Sequence, residues 1–101
     1  MTSEERSRLV VIVDDDELMR SALDGLMKEA GFQAVTFASA EDFLNSGEQE
    51  RTACLIADIR MPGMSGLDLQ SKLNRDRIRI PIIFITALGD EKMRIHAGVE
   101  G

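Results

Sequence analysis

The feature that most constrains this chain is a regular alternation between two kinds of apolar pattern. Leu9 to Val13 reads L-V-V-I-V, with no polar interruption. A strand of that kind is buried on both faces, which is the habit of parallel sheets covered by helices above and below. The same short apolar signal returns at Ala34 to Phe37, at Ala53 to Ala57 and at Ile82 to Ile85, the last ending at Thr86. Between these runs the pattern changes period. Leu18, Met19, Ala22, Leu23, Leu26, Met27 and Ala30 recur three and four residues apart, and Gly31 is placed to end the helix they predict. Ser39 and Asp42 open a second helix whose apolar side is Phe43 and Leu44. A third follows the Pro/Gly loop Met61 to Gly66, with Leu67, Leu69 and Leu73 available for packing. A last short helical stretch is predicted from about Asp90 to Ala97. The order βαβαβαβα predicts an α/β fold: a doubly wound parallel sheet with right-handed crossovers and helices on both faces.

Composition narrows the function classes. With 101 residues the chain is read as a single domain, 1–101. Its 18 acidic and 12 basic residues give a formal charge of −6, the wrong sign for wrapping a phosphate backbone, so no direct nucleic-acid contact is expected. The single Cys excludes an internal disulfide and a thiolate metal site, and fits a reducing cytoplasm. No apolar run approaches the roughly 20 residues of a membrane helix, and the polar start MTSEERSR is not a signal peptide.

The acids matter by position. Asp14, Asp15 and Asp16 follow the first strand directly, Asp58 follows the third, and Thr86 ends the fourth. In a doubly wound sheet the carboxyl ends of the strands share one edge, where ligands bind. Acids between a strand and a helix also serve as plain helix caps, and that reading stands beside the other for Asp14 to Glu17. Asp58 runs instead into a Pro/Gly loop and gains nothing as a cap. Like charges crowded at one edge repel, so either some carboxylates are protonated or a cation sits among them. All-oxygen ligands favour Mg²⁺ or Mn²⁺ over Zn²⁺.

Three segments, VVIVDDDELMR (Val10 to Arg20), LIADIRMPGMSGLDL (Leu55 to Leu69) and PIIFITALGD (Pro81 to Asp90), together resemble the receiver domain of bacterial two-component response regulators. The D-I-R-M-P-G-M-S-G-L-D block resembles the subfamily that pairs a receiver with a helix-turn-helix output. The resemblance implies a flavodoxin-like strand order 2-1-3-4-5. It implies Asp58 as phosphoacceptor from a sensor histidine kinase, so the chain would be a phosphoacceptor and not an enzyme. Mg²⁺ would be held by Asp15, Asp58 and the backbone carbonyl of Arg60, with Asp14 acting through metal-bound water. Thr86 would contact the phosphoryl group as a switch, beside a small Ala87, and Arg60 and Leu88 would tune its loss.

The resemblance also implies a fifth strand bearing a Lys, and then a fifth helix. The sequence stops where that strand should begin, so the domain is expected to be C-terminally incomplete. Strand four, I-I-F-I-T, would then be an open edge prone to self-association. Two other readings remain. One is a receiver-like interaction module that does not use phosphate. The other is a haloacid-dehalogenase-like phosphatase with its nucleophile among Asp14 to Asp16 and Thr86 as the later hydroxyl. Against the latter, Glu17-Leu18 replaces the usual residues after the acid pair, and no later Lys or cap insertion follows. Cys54 reads as a small core residue and His96 as a solvent-facing residue of the last helix. Lys72, Arg75, Arg77 and Arg79 read as a solvated basic loop.

Overall fold

In the computed structural model, residues 9–88 and 92–98 are described, with 86–88 and 92–98 described by their backbone alone. β1 (Leu9–Val13) is an interior strand of the sheet, and all five of its residues are buried. It pairs in parallel with β2 (Gln33–Phe37) on one side and β3 (Thr52–Asp58) on the other. β3 pairs in parallel with β4 (Ile82–Leu88), so the parallel order is 2-1-3-4, the doubly wound arrangement that the alternating pattern and the resemblance predict.

Period-two alternation divides the core between two faces. Leu9, Val11 and Val13 pack with Leu55, Ala57 and Phe84 under α2 (Ala40–Ser46) and α3 (Gly66–Arg75), which contribute Ala40, Phe43, Leu69 and Leu73. Val10 and Ile12 face the other way with Ile56 and Ile85, against Leu23 and Met27 of α1 (Glu17–Glu29). α1 lies over β1 and β2, and none of its residues is fully buried. Two members of its expected apolar stripe, Leu18 at 81% and Leu26 at 57%, stay exposed, and so does Leu67 of α3. The stripe read from the sequence is wider than the surface the sheet offers it.

The tail departs from expectation. Lys92–Gly98 is no helix; it is β5, antiparallel to β4, with Ile82 opposite Gly98 and Leu88 opposite Lys92. Only three residues separate β4 from β5. A parallel partner needs a crossover of about a dozen residues or more, so a connection this short dictates the antiparallel direction. The signal was in the sequence: Lys92, Arg94 and His96 alternate with Met93, Ile95 and Ala97, which is period two rather than 3.6. β5 also overturns the expected open edge at β4, whose outer backbone groups are paired within the chain. His96 accordingly belongs to a strand, opposite Phe84, and Thr86 lies inside β4 rather than at its end.

Candidate functional site

The site lies at the carboxyl ends of β1 and β3. The Asp14 N–H donates to the Phe37 carbonyl at 3.1 Å, which carries the sheet ladder one residue past β1 and fixes where Asp14 points. The Asp14 side chain is only 4% exposed. Its Oδ1 accepts the Asp16 N–H at 2.9 Å, closing a tight turn. The bland reading holds for one acid of this run: Asp16 is the N-cap of α1 and accepts the Leu18 N–H at 2.9 Å. Asp14 and Asp15 do not cap the helix.

Asp58 is the last residue of β3 and is half-buried, with Oδ1 accepting the Arg60 N–H at 3.2 Å. The chain then turns into α3. The Gly66 N–H donates to the Ile59 carbonyl at 3.0 Å, and Ser65 and Asp68 form a reciprocal capping box at the start of that helix. Gly66 has no alternative here: a Cβ would lie 2.5 Å from the Asp58 carbonyl oxygen.

These local turns bring Asp14, Asp15 and Asp58 together. One carboxylate oxygen from each lies within 4.8 Å of the others. Among the described residues none of the three is in an ion pair. Burial pushes the Asp14 carboxyl up to about 6, with the charges of Asp58, Asp15 and Asp16 acting in the same direction against the stabilising Asp16 N–H. The Asp58 carboxyl is raised too, first by burial and then by the charge of Asp15, while the Arg60 N–H lowers it. Protonation and a cation would each relieve this repulsion. Mg²⁺ holds its oxygen ligands at about 2.0–2.1 Å in octahedral geometry, so the carboxylates would draw closer together around the ion. The donor set, three carboxylates and no nitrogen or sulfur, suits such a hard cation.

Sequence reasoning missed Arg20. From the first turn of α1 its Nη1 donates to the Asp14 carbonyl at 2.7 Å, placing a guanidinium beside the strand end. Its position, four residues after the cap, was the available signal. It also lines an open groove of ≈ 550 Å³ between α1 and β2, with Asp24, Lys28 and Thr36. Thr86 follows Ile85, the register partner of Asp58; its side chain, like those of Ala87, Leu88 and His96, lies outside the described residues. Cys54 is half-buried and burial pushes its thiol up, away from reactivity. Of the basic stretch, Lys72 and Arg75 belong to α3 rather than to a loop; Lys72 pairs with Asp76 at 3.2 Å, and Arg75, Arg77 and Arg79 are exposed. No helix among the described residues is long and apolar enough to cross a membrane.

Comparison with known proteins agrees with this geometry. The family described as the response regulator receiver domain matches residues 10–101. Nodulation protein W of Bradyrhizobium diazoefficiens is 46% identical over 89 residues, which are 88% of this chain and 39% of that protein. The solved structure of the response regulator StyR superimposes with a TM-score of 0.76 at 46% identity, covering 85% of this chain and 43% of that one. The response regulator TrrA of Thermotoga maritima, solved in complex with Mg²⁺-BeF, gives a TM-score of 0.73 at 28% identity over 81% of this chain and 71% of that one. The chain spans about two fifths of the length of the curated relatives it matches. A match that begins inside β1 and runs through the tail, on a sheet wound in the same order, makes this chain a member of the response regulator receiver domain family, a signalling rather than a catalytic class of domain.

Proposed function

We propose that this chain accepts a phosphoryl group on Asp58 from the phosphohistidine of a sensor kinase in the cytoplasm, and so switches a linked output. The observation that carries the reading is the convergence of Asp14, Asp15 and Asp58 from two strand ends within 4.8 Å. Asp15, Asp58 and the carbonyl of Arg60 would hold Mg²⁺, with Asp14 acting through water on the ion. When bound, the ion supplies positive charge that both the anionic donor and the carboxylate need in order to approach.

The remaining work belongs to the chain's own groups. The Arg60 N–H holds Asp58 Oδ1 and so restrains the carboxylate for in-line attack. An Asp58 oxygen forms the new bond to phosphorus as the P–N bond breaks, and the electron pair stays on the imidazole. The neighbouring Asp14 keeps a proton more readily than an ordinary carboxyl. Asp58 is less deeply buried than Asp14 and so is the more accessible carboxylate to the donor. Thr86, one position beyond the register partner of Asp58, would meet the added oxygens and carry the change into the end of β4.

A small acyl-phosphate donor with Mg²⁺ should label the wild-type chain with one phosphoryl group and leave Asp58→Asn unlabelled. Label that survives this substitution and maps to Asp14 would favour the phosphatase-like chemistry. A wild-type chain that takes no label would favour an interaction module.

A further inference from the structure

The loop that carries Arg60 is tied down from a distance. Its first residue, Ile59, donates its N–H to Ile85 of β4 at 3.1 Å and accepts the N–H of Gly66. Met61 is buried in the core. The far side of the loop, Gly63-Met64, has a different anchor. Met64 donates its N–H at 3.0 Å to Glu41 Oε2, from the first turn of α2 and 23 residues away in sequence. Among the described residues, this bond and that of the Arg60 N–H to Asp58 at the end of β3 join 60–65 to elements other than its own helix.

Gly63 supports the same contact from the other direction. It sits at φ +77°, in the left-handed region, and a Cβ there would lie 2.8 Å from the same Glu41 oxygen. The backbone therefore presents both an amide and a bare α-carbon to one carboxylate. Glu41 lies in the first turn of α2, which the Ser39 side chain caps by accepting the Asp42 N–H at 3.0 Å. Arg60 and Met64 lie in the same loop, which the Gly66 N–H closes onto the Ile59 carbonyl, and the Arg60 N–H is what orients Asp58 Oδ1. A shift of the loop therefore reaches both the Arg60 carbonyl and the Asp58 carboxylate.

We propose that Glu41 is a positioning residue for the phosphoacceptor loop. Its carboxylate latches Gly63-Met64 and thereby fixes the Arg60 carbonyl and Asp58 in the arrangement that binds a divalent cation and receives the phosphoryl group. The inference rests on the phosphoacceptor reading, but the latch also acts on cation binding alone. What the latch requires is a hydrogen-bond acceptor, not a charge, so Gln serves in place of Glu and Ala does not.

The test compares the wild-type chain with Glu41→Gln and Glu41→Ala, by Mg²⁺ titration of the Asp15 and Arg60 amide signals and by the rate of labelling from an acyl phosphate. Glu41→Ala should weaken Mg²⁺ binding about tenfold, the low end for an outer partner of a metal ligand. It should slow labelling at fixed Mg²⁺, while its melting temperature stays close to wild type because Glu41 is exposed. Glu41→Gln should match wild type within about twofold in both. Equal Mg²⁺ affinity in all three chains would overturn the latch, and so would a Gln variant as impaired as the Ala one. A wild-type chain that binds Mg²⁺ in a Glu41-dependent way yet takes no label would keep the latch and overturn the phosphoacceptor reading.

Discussion

Asp14 stores a cost that the rest of the domain carries. In the unfolded chain its carboxyl titrates near the usual 3.8, and in the folded chain near 6, chiefly through burial. The folded state therefore holds the proton more tightly, so stability from this group is greatest below 3.8 and is lost as pH rises through 6. The full gap corresponds to about 3 kcal/mol as an upper bound for the metal-free chain. Asp14→Asn keeps an acceptor for the Asp16 N–H and removes the charge. It should stabilise the metal-free chain at pH 7 by about 1–3 kcal/mol, flatten the melting temperature between pH 4 and 6, and weaken Mg²⁺ binding. Thermal melts across that pH range check the first two and a Mg²⁺ titration the third. Asp58 and Asp14 were legible in the sequence because strand ends are legible. The Asp16 cap could not be separated from its neighbours, since three consecutive acids look alike until the turn decides which of them faces the helix.

Among the elements, α3 ends in a way worth testing. The Ile78 N–H bonds to the Leu73 carbonyl at 2.9 Å and the Arg77 N–H to the Asn74 carbonyl at 3.1 Å, the paired bonds of a Schellman turn. Leu73 and Ile78 pack into the same core, as that motif favours. The residue in the left-handed position is Arg77, at φ 61°, where Gly is the usual occupant. Arg77→Gly should raise stability by about 0.5–1 kcal/mol, read as a melting temperature higher by roughly 2–8 °C in a domain of this size. The helices were legible from their starts: Ser39 was read from sequence as a cap, and it is one. Their exposed faces were less so, because periodicity reports which residues are apolar, not how far the sheet beneath them extends. Leu18 and Leu26 show that difference. The tail was missed for another reason. A helix was expected there from the βα alternation, and the period-two pattern of Lys92 to Ala97 was the stronger local signal.

For the whole molecule, a net charge of −6 on 101 residues and a carboxylate cluster with no ion pair among the described residues lead to the expectation that divalent cations stabilise the chain. At Mg²⁺ about tenfold above its Kd, mass action should add about 1.4 kcal/mol to the wild-type chain and clearly less to Asp15→Asn. Melts with Mg²⁺ and with an equal ionic strength of monovalent salt separate site binding from screening. The parallel order 2-1-3-4 was readable because unbroken apolar strands need cover on both faces; the closing of the β4 edge depended on a connection of three residues, a matter of chain length more than of composition. That same short connection has a kinetic consequence. Leu9 must find Thr52 across 43 positions before β1 and β3 are joined, whereas Leu88 and Lys92 are neighbours in any collapsed chain. Loop closure for the hairpin takes on the order of tens of nanoseconds, and the long-range parallel pairings set the folding rate. β5 then pairs ahead of a slower-forming sheet, so its contacts are already made at the rate-limiting step: substitutions in β5, like those in β1 and β3, should slow refolding more than they speed unfolding.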